Sequence, residues 1–225
     1  MTPPDKSALR DAATVIVLRD EATRPRVLMG QRGKGAAFMP SKFVFPGGAL
    51  DAVDATIPLA RAPLPGCATA LAADTTTPAD ALIAAATREL WEETGLLIGR
   101  SDPRAGQMTA PKGWRGYIAT GHLPDGAAVQ FVFRAITPPG RPRRFDARFF
   151  LVDAEDLATD PDDFTRAEDE LSHLQWVPLD AVRKLDMPFI TEVVLAELSA
   201  RLNGTAHPGV PFFDNRDDIS RFARL

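Results

Sequence analysis

The stretch TRELWEETG, residues 87–95, places one arginine and three glutamates beside a glycine. It closes the segment TPADALIAAATRELWEETG, residues 77–95. Thr77 is placed to cap a helix, Pro78 suits a first helical turn and Gly95 suits a helix end. We therefore predict a helix over this segment, with the acidic stretch in its last turns.

Three glutamates share one face of the predicted helix. A helix turns about 100° per residue, so the i, i+3, i+4 spacing of Glu89, Glu92 and Glu93 keeps them within about one 100° sector. Like charges at this spacing repel, and Arg88 offsets only part of the repulsion. Mg²⁺ or Mn²⁺ offsets it better, because hard cations accept several carboxylates at once. The face therefore indicates a metal site or, as on many acidic helices, a solvated surface.

The order of these residues favours the metal interpretation. Residues 88–96 read Arg-Glu-Leu-x-Glu-Glu-x-Gly-Leu, which resembles the second half of the Nudix hydrolase signature, G-x5-E-x7-R-E-U-x-E-E-x-G-U with U aliphatic. Gly48 matches the first half, and Asp54, six positions later, stands where the family usually has glutamate. About 26 residues more than the family's seven separate Asp54 from Arg88. Asp80, eight positions before Arg88, is the alternative acid, and the spacing leaves the choice open.

The long insertion within the signature, together with its flanking sequences, resembles one Nudix subgroup, the peroxisomal coenzyme A diphosphatases of animals and their bacterial relatives. The resemblance covers roughly residues 12–203. A further motif associated with coenzyme A-cleaving Nudix enzymes is L-L-T-x-R-S-x3-R-x3-G-x3-F-P-G-G. The residues that match it are Leu28, Arg32, Phe45, Pro46, Gly47 and Gly48. The residues that stand where serine, arginine and glycine are expected are Gly33, Ala37 and Ser41.

The resemblance implies a fold and a set of metal ligands. The Nudix fold is α+β, an αβα sandwich with a mixed β-sheet, and the irregular order of predicted strands and helices agrees with that class. Mg²⁺ or Mn²⁺ would be held by Glu89, Glu92 and Glu93, with the carbonyl of Gly48 as a further ligand. Arg88 would orient the glutamates rather than contact the substrate.

The resemblance also implies an acid outside the helix. Family members often draw one more acid from a loop before a strand, and Glu170 is the candidate, as a base or a further metal ligand, with Glu168 behind it. Both are equally well interpreted as solvated loop charges. The candidates for contact with substrate phosphates are Arg32, Lys34 and Arg144.

The length and composition of the chain limit its domain organisation, its disulfides and its location. The chain has 225 residues, a net charge of −4 and a single cysteine, Cys67. We predict one Nudix domain over residues 10–204, with an insertion at about 55–77 and a C-terminal tail at 205–225, and no intramolecular disulfide. Neither a broad basic field for nucleic acid nor an apolar run for a membrane span or signal peptide is found, so we expect a cytoplasmic protein. A homodimer is expected only by analogy.

Short apolar and β-branched runs predict the strands. Residues 13–20 and 26–33 read as a strand pair, and residues 42–48 as a strand that ends in a tight Pro-Gly-Gly feature. The later strands and the last helix are predicted at residues 127–136, 143–154, 174–179 and 188–204. The tryptophans interpreted as core or interface residues are Trp91, Trp114 and Trp176.

The function that these patterns favour is metal-dependent hydrolysis of a small molecule in which a nucleoside diphosphate is linked to another group. Coenzyme A or an acyl-CoA is the leading substrate hypothesis. ADP-ribose, NADH or a nucleotide sugar is the second. A ligand-sensing module that keeps the fold without turnover is the third, and the intact Glu89, Glu92 and Glu93 argue against it.

Overall fold

The computed structural model describes residues 8–35 and 39–225. Nine strands of this part of the chain form one sheet, and two more form a small second sheet. The strands are β1 (Leu9–Arg19), β2 (Arg26–Arg32), β3 (Phe43–Val44), β4 (Gly47–Ala49), β5 (Gly99–Ser101), β6 (His122–Pro124), β7 (Gln130–Ile136), β8 (Arg144–Asp153), β9 (Leu171–Pro178), β10 (Pro211–Asp214) and β11 (Arg221–Arg224). The α-helices are α1 (Pro65–Leu71), α2 (Ala79–Thr94), α3 (Arg115–Ile118) and α4 (Phe189–Leu202).

The large sheet mixes parallel and antiparallel neighbours. Its main path runs β11-β10-β7-β8-β1-β2-β3, with β4 beside β1 and β9 beside β2. Strand β1 is parallel to β8, with Leu9 opposite Arg144 and Leu18 opposite Asp153, and it is antiparallel to β2. The predicted mixed sheet and the predicted pairing of the first two strands are therefore confirmed.

One long helix covers each face of the sheet. Successive residues of a strand point to opposite faces, so Val15 and Val17 of β1 join the cluster that includes Leu82, Ile83 and Leu90 of α2. Ile16 and Leu18 point the other way, into the cluster that includes Val194, Leu195 and Leu198 of α4. Burial of each such side chain contributes about 1.5–3 kcal/mol. The result is the predicted αβα sandwich.

Helix α2 lies within the range that its end signals predict. Gly95 follows it with a φ of 76°, a left-handed conformation that suits glycine at a helix end. The predicted cap at Thr77 is wrong, because Pro78 occupies the cap position and no side chain caps the helix. The Thr77 hydroxyl instead donates to Oδ2 of Asp11 at 2.6 Å, which ties the start of α2 to β1.

A third buried cluster lies against a second flank of α2. It joins Trp91 of α2 to Trp114 and Tyr117 at α3, and to Ile57, which follows a 3₁₀ turn at Asp54–Thr56. The small sheet of β5 and β6 adds Leu123 to this cluster. The start of the segment between Asp54 and α2 thus packs in the same cluster as Trp91 of α2, whereas Leu71 of α1 packs in the cluster that Val15 and Val17 join.

The residues assigned to a C-terminal tail belong in part to the sheet. Strand β10 lies parallel to β7, and β11 pairs antiparallel with β10. The large sheet therefore extends beyond residue 204, the predicted end of the domain. In the part of the chain that the structure describes, no helix has the length and apolar character needed to cross a bilayer.

Candidate metal and catalytic site

Arg88 is the centre of the candidate site, and all five of its N–H donors are used. Nε and one hydrogen of Nη2 go to Asp54, at 2.9 and 3.0 Å. Nη1 donates to Glu89 at 2.8 Å and to Glu92 at 2.9 Å, and Nη2 also donates to the carbonyl of Ala49 at 3.0 Å. A guanidinium carries five N–H donors in a planar fork, so these contacts fix its orientation completely. The side chain is 5% exposed and has no donor left for a substrate.

Asp54 is the acid that pairs with Arg88. Its carboxylate is fully buried and also accepts from the indole N–H of Trp114 and the main-chain N–H of Asp51, each at 2.9 Å. Asp80, the other candidate, lies exposed in the first turn of α2. The position six residues after Gly48 therefore holds the acid of the ion pair.

Two adjacent glycines of β4 contact the carboxylates of Glu93 and Glu89. The main-chain N–H of Gly47 donates to Oε2 of Glu93 at 2.7 Å, and Glu93 is 3% exposed. A Cβ atom at Gly48 would lie 2.5 Å from the carboxyl carbon of Glu89. Contacts this short do not occur between real side chains, so glycine is required for the Glu89 carboxylate to pack against the strand. The signature glycine and the signature glutamate are in direct contact.

Burial raises the proton affinity of all three glutamates. It raises the pKa of Glu89 to about 7, with the charges of Glu92 and Glu170 adding to the rise and Arg88 opposing it. It raises the pKa of Glu93 well above its ordinary value, and it raises the pKa of Glu92 as well. A carboxylate that is removed from water without a full counter-charge gains affinity for a cation in the same way that it gains affinity for a proton.

The donor set fits a hard divalent cation. Glu89, Glu92 and Glu93 each form hydrogen bonds through one carboxylate oxygen, and the second oxygen of each forms none with another described residue. Among the described residues, no three acidic, histidine or cysteine side chains converge on one point. Mg²⁺ keeps several waters in protein sites, so the three glutamates can share its coordination sphere with water and need not all contact the ion directly.

The loop before β9 brings two further acids next to α2. The main-chain N–H of Glu168 donates to the carbonyl of Glu92 at 3.0 Å. Glu170 is 58% exposed and pairs with Nη2 of Arg32 at 2.8 Å. The charges of Glu170 and Arg32 both act on the buried Glu93. The structure therefore brings these sequence candidates together with the glutamates of α2.

The structure places the predicted substrate contacts Lys34 and Arg144 in different parts of the molecule. Lys34 is exposed in the turn after β2. Ala37, which stands where the coenzyme A motif has arginine, lies outside the described residues. Arg144, at the start of β8, is not brought to the glutamates, since it donates to the backbone carbonyl of Thr137, just after β7, and to those of Asn215 and Arg216 in the C-terminal segment. Its guanidinium ties that segment to the sheet, and the prediction for Arg144 is corrected accordingly.

Trp114 is the site residue that the sequence does not reveal. It packs in the core as expected, but its indole also donates to Asp54, 60 positions earlier in the chain. No signature includes it, and a contact at that separation depends on how the segment after α2 folds back. The only signal in the sequence is that a buried indole N–H needs an acceptor.

The sequence of the chain is similar to that of known proteins. The NUDIX domain model matches residues 8–198. A Caenorhabditis elegans protein named "Putative nudix hydrolase 7" is 30% identical over 186 residues, which cover 76% of this chain and 52% of that protein. The chain thus spans about half the length of this curated relative.

Solved structures give the same result for the fold. A crystal structure of a NUDIX hydrolase from Alicyclobacillus acidocaldarius is 28% identical, with a TM-score of 0.65, over 86% of this chain and 92% of that one. The NUDIX domain of Shewanella oneidensis NrtR, crystallised with ADP ribose, is 12% identical with a TM-score of 0.50, over 90% and 94% of the two chains. The second likeness shows the fold alone. Together they confirm the predicted fold class.

Proposed function

The chain belongs to the Nudix family, and from that premise we propose that it is a Mg²⁺- or Mn²⁺-dependent hydrolase that cleaves the phosphoric anhydride bond of a nucleoside diphosphate linked to another group. One observation carries the proposal. All five N–H donors of Arg88 go to Asp54, Ala49 and two glutamates, which supports interpreting the acidic face of α2 as a built site rather than a solvated surface.

The glutamates of α2 are proposed as the metal ligands. Glu89, Glu92 and Glu93 would hold the ion, and the carbonyl of Gly48 would be a further ligand. A bound Mg²⁺ or Mn²⁺ would neutralise the charge of the diphosphate and lower the pKa of a water. Arg88 has no donor left for substrate, which supports the role of orienting Glu89 and Glu92.

Glu170 is proposed as the base or as an additional ligand. It is exposed to solvent, so a water can reach its carboxylate, and it lies close enough to Glu89 and Glu93 for its charge to act on both. A general base must reach the proton that it removes, directly or through one water. Glu168 is exposed in the same loop and is bound to α2 through its backbone, so it is the weaker candidate.

Arg32 is proposed as a contact for a substrate phosphate. Its Nη2 pairs with Glu170, while Nη1 forms no hydrogen bond with another described residue. A guanidinium that shares one side with a carboxylate can still donate to a phosphate oxygen from the other. Lys34, exposed in the adjacent turn, is proposed as a second cation for the same group.

Coenzyme A or an acyl-CoA is the proposed substrate, cleaved to a phosphopantetheine and adenosine 3′,5′-bisphosphate. Support comes from the partial motif match at Leu28, Arg32 and residues 45–48. The fold brings the two ends of that motif together, because Gln31 pairs with Phe43 and the backbone N–H of Arg32 donates to Lys42 at 3.0 Å. The predicted cytoplasmic location and the homodimer expected by analogy stay predictions.

A substrate panel tests the proposal. Coenzyme A, acyl-CoAs, ADP-ribose, NADH, a nucleotide sugar and nucleoside triphosphates are each incubated with the purified chain and Mg²⁺ or Mn²⁺, and released phosphate monoesters are measured. Fastest cleavage of coenzyme A or an acyl-CoA supports the proposal. Preference for ADP-ribose or NADH would keep the reaction and change the substrate. Tight binding of one compound without cleavage of any would favour a sensing module.

A further inference from the structure

Trp114 lies outside the Nudix signature but donates the fourth hydrogen bond to the carboxylate of Asp54. Its indole N–H donates to Oδ1 of Asp54 at 2.9 Å, and neither side chain is exposed at all. The other three hydrogen bonds of this carboxylate come from Nε and Nη2 of Arg88 and from the main chain of Asp51. Each carboxylate oxygen therefore has two donors, and one of the four comes from Trp114.

The direction of the indole is fixed by its surroundings. The ring of Trp114 meets the ring of Tyr117 edge to face, with centroids 5.0 Å apart. Tyr117 is held in turn by its hydroxyl, which donates to the carbonyl of Ile98 at 2.6 Å, and by an edge contact with Trp91. Aromatic side chains packed in this way keep one orientation. The N–H therefore points at Asp54 without freedom to turn away.

The hydrogen bond from Trp114 to Asp54 is linked to the proposed metal ligands through the rigid guanidinium of Arg88. The guanidinium of Arg88 is planar, so the two bonds that it makes with Asp54 also set the direction of Nη1, which donates to Glu89 and Glu92. Asp54 is one methylene shorter than the glutamate usual in the family. Its carboxylate is held by the four hydrogen bonds described above.

Resting on the proposed function, we propose that Trp114 is a positioning residue of the metal site: its hydrogen bond holds Asp54, and through Asp54 and Arg88 it sets the carboxylates of Glu89 and Glu92 for the cation. Groups that orient metal ligands from outside the coordination sphere typically contribute about 10–100-fold to metal affinity. Loss of the indole N–H should therefore weaken metal binding even where the fold is kept.

The test measures Mn²⁺ binding to the full chain by electron paramagnetic resonance, without substrate or turnover. Trp114→Phe removes the donor and should raise the Mn²⁺ dissociation constant about tenfold. Trp176→Phe is the matched control, because it makes the same change at an indole whose N–H donates to the carbonyl of Pro161 at 3.2 Å and not to Asp54. It should leave the constant near the wild-type value, while the melting temperatures of both variants fall.

A second pair of variants tests whether Trp114 acts through Asp54. Asp54→Ala removes the acceptor of the indole N–H, so adding Trp114→Phe to Asp54→Ala should weaken Mn²⁺ binding no further than Asp54→Ala alone. If Trp114→Phe does not fold, 3-benzothienylalanine at the same position keeps the ring shape and replaces the N–H with sulfur. It should produce the same tenfold loss, and wild-type affinity would overturn the proposal.

The outcomes distinguish this inference from the proposed function. A wild-type chain that binds no Mn²⁺ contradicts the proposed function and the inference with it. A wild-type chain that binds Mn²⁺, with equal losses in Trp114→Phe and Trp176→Phe or with losses that multiply in the double variant, overturns the inference alone.

Discussion

The guanidinium of Arg88 donates two hydrogen bonds to the carboxylate of Asp54, which lies 34 positions earlier in the chain. The pair is almost completely buried, with the Arg88 side chain 5% exposed and that of Asp54 at 0%. Breaking a buried ion pair by removing one partner is costly, because the other charge stays buried. The two halves of the signature are therefore held together by this contact despite the long segment between them.

Asp54→Asn should destabilise the protein by about 3–5 kcal/mol, the usual cost of leaving one partner of a buried ion pair uncompensated. Asp80→Asn is the control and tests the alternative acid. Asp80 is exposed, so its substitution should stay within about 0.5 kcal/mol of wild type. Urea unfolding of both variants gives the two free energies. A small loss in Asp54→Asn, or a large one in Asp80→Asn, would reverse the assignment.

Gly48→Ala should impair the site directly. The added Cβ would lie 2.5 Å from the carboxyl carbon of Glu89, so either the strand or the glutamate must move, at about 1–3 kcal/mol. Metal affinity and turnover should both fall. Gly106→Ala is the control, because a Cβ there meets nothing within 4 Å. Mn²⁺ titration and thermal melts compare the two, and normal Mn²⁺ affinity in Gly48→Ala would rule out the close contact.

Much of the fold follows from local signals. The Pro78 and Gly95 signals bracket α2, and the apolar runs of β1 and β2 mark a strand pair, because both depend on residues close in sequence. The failures involve partners far away. Thr77 does not cap α2, because Pro78 takes the cap position and the Thr77 hydroxyl donates to Asp11, 66 positions earlier in the chain.

The same distinction applies to the site. The spacing of the α2 glutamates is a helical property, so their common face follows from sequence alone. Two other contacts depend on how distant segments fold back on each other. Trp114 donates a hydrogen bond to Asp54, and Arg144 donates one to the carbonyl of Asn215. The residues assigned to a tail join the sheet for the same reason, since the short strand β10 depends on its pairing with β7, far away in sequence, and with β11.

Arg32 and Arg144 should differ sharply when substituted. Arg32→Ala removes the guanidinium beside Glu170, so KM for the diphosphate substrate should rise about tenfold or more, as expected for a lost charged contact. Arg144→Ala should leave KM unchanged and lower the melting temperature, since among the described residues the Arg144 guanidinium donates only to backbone carbonyls. Steady-state kinetics and melts of both variants provide the measurement. A raised KM in Arg144→Ala would restore it as a substrate contact.

The stability of the metal-free protein should fall as pH rises towards neutrality. The pKa of Glu89 is raised from 4.5 to about 7 in the folded protein, chiefly by burial. A raised folded-state pKa gives stability that is complete below the unfolded value and is lost as pH rises through the folded value, so the loss should span about pH 4.5–7. Urea midpoints in EDTA measure it.

Mn²⁺ and a variant serve as controls for this pH dependence. Saturating Mn²⁺ should reverse the loss, because the cation favours the ionised carboxylate. Glu89→Gln should reduce the slope of the metal-free profile over the same interval, since it removes one of the three glutamates whose pKa is raised by burial. An unchanged profile in Glu89→Gln would assign the dependence to other acids.

Glu93→Gln is the strongest test of the metal assignment. Loss of even a group that supports a metal ligand costs about 10–100-fold, so loss of a ligand should lower kcat by at least about a hundredfold. The fold should survive, because the Gln amide oxygen can still accept from the N–H of Gly47, and burial already favours the neutral form of Glu93. Glu192→Gln, on the exposed side of α4, is the control. Near-normal turnover in Glu93→Gln would show that the acidic face of α2 acts without this residue as a ligand, and the reaction would then need a different set of carboxylates.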